Sequence, residues 1–309
     1  MTASTISHMT GLDTGLALRR IGWLALATAA VTAGLITYGA WVRVSGSGLG
    51  CPDWPLCNGG ILPGEERAAA IEYGHRLLAG LTMIMVAVLG VWGFRRRREA
   101  PLAAAFLVGA AVLILAQAAL GGIAVLADLP GAIRLAHLAM GMTILGLLTF
   151  GGLNALSRDW ELPRVRVSPL PLALVGAGTI MIGGSIVATQ TSFGCLDLPV
   201  CDGGASTMAT WLHGLHRTLG LVLVAGVAAM AWTVRRQGGS RPLLAVLGVS
   251  AALVAAQLGI GVVSVAATFP SELRVLHVAL ATLTWWSLAG FWALAVLSAK
   301  ESAGATGRI

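Results

Sequence analysis

The chain has 309 residues, of which 57% are hydrophobic and 11% are charged, and its formal net charge is +7. Together with a mean hydropathy of +0.84, this composition excludes an ordinary soluble domain and indicates an integral membrane protein. The basic excess comes from arginines beside apolar segments, so it gives no argument for binding nucleic acid.

Eight apolar stretches are long enough to cross a bilayer, which takes roughly 20 residues of helix. The first stretch follows Arg19 and Arg20, but it is too long for a signal-peptide core and shows no cleavage site, so we retain it as a helix. The sequence therefore predicts an all-α integral membrane protein with eight transmembrane helices. They are expected near residues 21–42, 72–94, 102–126, 133–156, 170–189, 212–234, 242–266 and 275–298.

The basic residues predict how the chain is oriented in the membrane. Runs of arginine at 19–20, 95–98 and 235–236 fall on a single side if the helices alternate in direction. Because cytoplasmic segments are enriched in Lys and Arg, both termini are expected in the cytoplasm.

Two cysteine pairs lie in predicted outer loops, after the first and the fifth helix. Residues 50–60 (GCPDWPLCNGG) match residues 194–204 (GCLDLPVCDGG). Outside the cytoplasm cysteines oxidise readily, so we expect two disulfides within these loops, Cys51–Cys57 and Cys195–Cys201. Each loop either forms a lid over a site or exchanges its disulfide with an external thiol.

Four histidines occupy matching positions in the apolar segments. The second helix opens with Glu72-x-x-His75, and the sixth opens with His213-x-x-His216. The fourth and eighth helices begin with Arg-x-x-His, at His137 and His277. Imidazole is costly in a bilayer, and paired histidines on bundle helices are typical axial ligands of haem iron. The alternative is that each histidine is an interfacial residue held by hydrogen bonds.

An internal repeat organises these residues into two halves, since residues 117–137 also match residues 257–277. We predict a four-helix unit at residues 1–156, a cytoplasmic linker at 157–168 and a second four-helix unit at 169–309. Four helices return the chain to the same side, so the repeat is parallel. All four histidines are then expected at a similar depth, near the outer surface. Zinc is disfavoured because each half provides two histidines.

The residues around the histidines carry further expectations. Two arginines lie beside each pair: Arg76 and Arg134 beside the first, and Arg217 and Arg274 beside the second. They either extend to lipid headgroups or neutralise the propionates of a haem. Glycines at 121–122 and at 259 and 261 make room for a flat macrocycle or for a neighbouring helix. Glu72 is the main asymmetry, because the second half has His213 there. A carboxylate beside one site would accept protons in a reaction.

Residues 46–57 (GSGLGCPDWPLC), followed by 72–76 (EYGHR), resemble haem A synthase of bacteria and mitochondria, and the resemblance extends over nearly the whole chain. It implies an oxidoreductase that acts on a methyl group, converting the C8 methyl of haem O to a formyl group with water as the oxygen source. The product, haem A, serves aa3-type cytochrome oxidase. The resemblance implies that His75 and His137 ligate the substrate haem, that Glu72 is the catalytic carboxylate, and that His216 and His277 hold haem b. It assigns no role to His213.

The resemblance also implies the surroundings of the protein. We expect a bacterial cytoplasmic membrane with the cysteine loops outside, haem O as substrate, a haem O synthase as partner, and an external electron acceptor that the sequence does not identify. The oligomeric state does not follow from the sequence. The main alternative function is a di-haem b electron carrier linked to quinol. A transporter is disfavoured because Gln117 and Gln257 are the prominent intramembrane polar residues outside the histidine helices.

Overall fold

The computed structural model describes residues 3–157, 160, 165–201, 204–239 and 241–305. These residues form eight helices, each long and apolar enough to cross a membrane, which confirms the predicted fold class. The helices are α1 (Ala3–Val44), α2 (Arg67–Arg95), α3 (Pro101–Leu126), α4 (Gly131–Leu156), α5 (Leu170–Ala188), α6 (Thr207–Arg236), α7 (Arg241–Ala266) and α8 (Ser271–Ala305). Part of the predicted linker, residues 158–159 and 161–164, lies outside the described residues.

Several helices begin about one turn before the apolar segment that predicted them. Helix α2 begins at Arg67, and α6 begins at Thr207, where the Ser206 hydroxyl caps it by accepting a hydrogen bond from Ala209 N–H at 3.2 Å. Proline opens α3 at Pro101. These helices thus begin before their predicted apolar segments, because capping and proline, rather than hydrophobicity, set where they begin.

The helices pack as two rings of four. In the first ring, neighbours follow chain order from α1 to α4, and α4 returns to α1; α5 to α8 repeat this arrangement. Along the described residues, the diagonal helices α2 and α4 do not pack closely on each other, and neither do α6 and α8. We call the interior of each ring, between its second and fourth helices, the slot of that ring.

Helices α4 and α8 join the two rings. Helix α8 packs on both α1 and α4, and α4 also packs on α5. Trp285 and Trp286 of α8 pack against the core of the first ring, and Trp285 Nε1–H donates to the Met142 carbonyl at 2.8 Å. We call the contact between α8 and helices α1 and α4 the seam.

The end of the molecule that carries residues 45–66 (loop 1) and 189–206 (loop 3) is called the loop side. Helices α1, α3, α5 and α7 end there, and α2, α4, α6 and α8 begin there. Every histidine of the predicted pairs therefore lies in the first turns of its helix at the loop side.

Candidate functional site

The predicted histidine pairs lie on the diagonal helices of each ring. His75 is on α2 and His137 on α4, while His216 is on α6 and His277 on α8. Each of the four side chains is half-buried. Because diagonal helices face each other across the slot of their ring, each pair lies on the two helices that border one slot.

Each histidine ring packs against a glycine on the preceding helix. A Cβ built on Gly39 would lie 3.2 Å from Cε1 of His75, and one on Gly121 would lie 3.3 Å from Cε1 of His137. In the second ring, Gly183 approaches His216 and Gly261 approaches His277, with 2.9 Å and 3.5 Å to Cε1. Missing side chains on the odd-numbered helices thus make space for imidazoles on the even-numbered ones.

The second pair has a spacing suited to a shared metal. The ring centroids of His216 and His277 are 6.2 Å apart. A bond of about 2 Å from each imidazole nitrogen to a central metal, plus half a ring on each side, gives roughly 6 Å. The backbone carbonyl of Thr179 lies 3.0 Å from His216 Nδ1, and such a bond directs the other nitrogen to a ligand. The Gln257 amide nitrogen lies 3.0 Å from His277 Nε2.

The first pair lies in a similar setting. The ring of Tyr38 lies 5.9 Å from that of His75, centroid to centroid. The Tyr38 hydroxyl donates to the Ile71 carbonyl at 3.0 Å. This bond ties α1 to α2 beside the histidine.

The hydrogen-bond partners of the histidine nitrogens indicate whether these residues fit a haem. Nδ1 of His75, His137 and His277 is buried and has no hydrogen-bond partner, and a buried polar atom of this kind is costly unless a ligand satisfies it. Among the described residues, no three His, Cys, Asp or Glu side chains form a metal cluster. A metal here would take two protein ligands, and a haem supplies the rest from its macrocycle. The residues fit haem iron.

Glu72 is buried at the start of the first slot, with 3% of its surface exposed. One carboxylate oxygen accepts from Cys51 N–H at 3.1 Å, and the other accepts from Arg76 Nη2 at 2.6 Å. His213, at the matching position, instead bonds the Thr191 carbonyl through Nε2 at 3.0 Å. Both residues anchor the preceding loop, but only Glu72 places a carboxylate one turn from a predicted ligand.

Arg76 and Arg217 hold the loops rather than facing a free anion. Arg76 donates to the carbonyls of Asp53, Leu56 and Cys51 at 2.7, 2.5 and 2.6 Å. Arg217 donates to three carbonyls of loop 3, those of Asp197, Pro199 and Cys195, at 2.8, 2.9 and 3.4 Å. The sequence analysis named a lipid headgroup and a propionate as alternatives for these two arginines and did not foresee their contacts with the loops. A guanidinium with five donors suits a loop whose carbonyls lack backbone partners.

Loop 1 covers one end of the first ring. Its predicted disulfide joins Cys51 to Cys57, as Cys195 and Cys201 are joined in loop 3. The Trp54 ring lies over α3 at Gly122, where an added Cβ would be 2.9 Å from the indole. Gly122 follows Gly121, which contacts His137. The contacts favour the lid over thiol exchange for loop 1. Residues 202–203 of loop 3 lie outside the described residues.

Asp53 holds loop 1 in shape. Its carboxylate accepts from Asn58 N–H at 2.6 Å and from Gly59 N–H at 2.7 Å. The Gly59 bond, then the Asn58 bond and the nearby Arg76 charge, hold the pKa of Asp53 below its ordinary value. The turn at Asn58 and Gly59 has positive φ at both residues, which Asn and Gly adopt most readily.

Sequence reasoning missed three residues at this site: Gly39, Gly183 and Tyr38. The two glycines had a usable signal, because each belongs to the same internal repeat as the histidine that it contacts. Their contribution was hidden because membrane helices contain many glycines, and the sequence does not identify which ones face a histidine.

Comparison with known proteins places the chain among cytochrome oxidase assembly proteins. The COX15-CtaA family model, described as a cytochrome oxidase assembly protein, matches residues 22–289. The chain is 27% identical to the heme A synthase of Symbiobacterium thermophilum, over 87% of this chain and 91% of that protein. It is 29% identical to the heme A synthase of Halalkalibacterium halodurans, over 68% of this chain and 75% of that protein. It is 31% identical to that of Shewanella oneidensis, over 60% of this chain and 62% of that protein.

Proposed function

The chain belongs to the COX15-CtaA family of cytochrome oxidase assembly proteins, and from this premise we propose that it is a haem A synthase that oxidises haem O. The observation that carries the proposal is the duplicated histidine pair on diagonal helices, with a buried carboxylate beside only one pair. Heme A synthases among its relatives support the same activity. The protein is an oxidoreductase of the multi-pass membrane class.

The two slots have different roles in this proposal. His75 and His137 hold the iron of the substrate, haem O, in the unit of residues 1–156. His216 and His277 hold a resident haem b in the unit of residues 169–309, and the Thr179 carbonyl orients His216 for that task. The bound haem supplies one-electron redox chemistry at its iron.

The reaction requires both a proton acceptor and a path for electrons. Converting a methyl group and one water to a formyl group releases four protons and four electrons. Glu72 is three residues from His75 and so shares its helix face. Each of its oxygens accepts one hydrogen bond, from Cys51 N–H or from Arg76, and keeps a further lone pair for a proton. A haem held by His216 and His277 would supply one-electron redox chemistry for passing these electrons to an external acceptor.

Loop 1 has a protective role in the proposal. Arg76 binds three of its carbonyls and also Glu72, so the position of the acid depends on the closed loop. Trp54 over Gly122 restricts the approach of water along α3. A site that limits water prevents side reactions of a partly oxidised substrate.

The test is the pigment content of purified variants, measured by extraction and mass detection. We expect Glu72→Gln to retain bound haem O but to yield no haem A, because the amide oxygen can still accept one of the two hydrogen bonds while the amide cannot act as a proton acceptor. Glu66→Gln, an exposed change just before α2, is the matched control. Normal haem A from Glu72→Gln would contradict the catalytic assignment.

The resident site is tested in the same way. His216→Ala should lose haem b, whereas His213→Ala should keep it, since His213 bonds the Thr191 carbonyl of loop 3 instead. The alternative function, a di-haem b electron carrier, uses the same histidines but needs no acid. Wild-type protein that contains haem b alone, with neither haem O nor haem A, would support that carrier.

A further inference from the structure

Three arginines lie at the loop-side ends of the helices that join the two rings. Arg43 is the second-last residue of α1, and Arg134 and Arg274 are each the fourth residue of α4 and α8. Helix α8 packs on both α1 and α4. The Arg43 guanidinium interacts electrostatically with Arg274 and with Arg134. The cluster therefore spans the seam, with two arginines from the first ring and one from the second.

In the part of the chain that the structure describes, no carboxylate forms an ion pair with this cluster. The ion pairs recorded among the described residues are Arg76–Glu72 and Arg96–Glu99, and neither involves the cluster. Nε of Arg134 and Nε of Arg274 are buried without a hydrogen-bond partner, and Arg274 Nη2 makes one long bond, 3.3 Å, to the Ser271 hydroxyl. Like charges that are partly removed from water repel each other. Such an arrangement is stabilised by a bound anion.

The positions of the arginines indicate which anion fits. Arg134 is three residues before His137 and Arg274 three before His277, so each shares the helix face of a predicted haem ligand, one turn nearer the loop side. Arg76 and Arg217, the other basic residues beside the histidines, are already bonded to loop carbonyls. Carboxylates are the anionic groups of a haem, and guanidinium pairs with carboxylate in two parallel bonds.

We propose that Arg43, Arg134 and Arg274 form one carboxylate-binding site that the haems of both slots share across the seam. The inference rests on the proposed function and extends it, because it couples the two slots. Arg43 has no counterpart in the second half, where Val187 occupies the matching position of the loop repeat. The negative charge of the substrate's carboxylates in the first slot then changes the midpoint potential of the resident haem.

The test measures the resident haem alone, in protein from a host that makes no haem O. Arg43→Gln should lower the midpoint potential of that haem, because a nearby positive charge favours the reduced state. The change is on the other ring, so it leaves the ligands His216 and His277 intact. Arg67→Gln, the same change at the exposed start of α2, is the control, and Arg43→Lys should restore most of the potential.

The outcomes separate three explanations. A potential that is unchanged in both Arg43→Gln and Arg274→Gln, with normal haem content, overturns the shared site. If the potential is unchanged and the wild-type protein retains phosphatidylglycerol that Arg43→Gln loses, the cluster binds lipid phosphate and the inference is also overturned. The potential is measured for both proteins in nanodiscs of phosphatidylglycerol and in nanodiscs of phosphatidylcholine. Wild-type protein without any haem would instead overturn the proposed function itself.

Discussion

At the scale of single residues, glycine decides where an imidazole can lie. Four histidine rings fit against Gly39, Gly121, Gly183 and Gly261, each on the helix before the histidine. Interiors are packed closely enough that a single added methyl group displaces its neighbour. Orientation of the predicted ligands therefore depends on residues that have no side chain and no chemistry of their own.

Gly183→Val should release the resident haem. Its Cβ would lie 2.9 Å from His216 Cε1, and the two further methyl groups would push the ring out of its position. Overpacking costs about 1–3 kcal/mol, so haem affinity should fall roughly 5- to 150-fold. Haem content per protein, measured by pyridine haemochrome absorbance, checks this.

Gly214→Val is the matched control, because a Cβ there meets no atom within 4 Å although the residue is two positions from His216. Equal haem content in both variants would show that the Gly183 contact does not orient the ligand.

At the scale of elements, loop 1 is built as a unit around one arginine and one aspartate. Arg76 reaches it from α2, and Asp53 closes its turn from within. Loop 3 repeats the arginine contacts but has Leu198 in place of Trp54, and α6 has His213 where α2 has Glu72. The two loops thus share an architecture, while the buried acid and the indole occur only beside the first slot.

The turn of loop 1 should open only in strong acid. Since the folded pKa of Asp53 lies below the ordinary 3.8, its contribution is fully present above pH 3.8 and is lost as the pH falls through the lowered pKa. Hydrogen-exchange protection factors of the Asn58 and Gly59 amides should be constant from pH 7 to pH 5.

Asp53→Asn provides the comparison for this titration. In this variant the Asn58 and Gly59 amides should be less protected over the whole pH range, and their protection should not change at low pH. Protection that the unmodified protein already loses near pH 5 would contradict the lowered pKa.

At the scale of the whole molecule, the two rings meet through α8, which places Trp285 against the first ring and Arg274 beside Arg43 and Arg134. The residues that line the slots and those that join the rings are thus on the same two helices, α4 and α8. A change in one slot therefore has a short physical route to the other, through packed side chains and through charge.

We predict that the loop side faces away from the cytoplasm. Arginine runs at 95–98 and 235–236 lie at the opposite end of the helices, and positive charge is retained on the cytoplasmic side. In intact cells a membrane-impermeant thiol reagent should label Gly64→Cys in loop 1. Arg98→Cys, between α2 and α3, should be labelled only after permeabilisation. The reverse pattern would invert the proposed orientation.

By itself the sequence determined the membrane class and the eight helices, because hydrophobic length is a local property of a chain. From repeated spacing it also predicted the duplicated plan and the paired histidines. It also predicted both disulfide pairs. The tertiary structure alone decided that Arg76 and Arg217 bind loops, that four particular glycines face the histidines, and that the helix ends carrying Arg43, Arg134 and Arg274 pack together. Those contacts join residues from different helices, and which side chains meet depends on how the helices rotate and pack, a property that spacing along one helix does not contain.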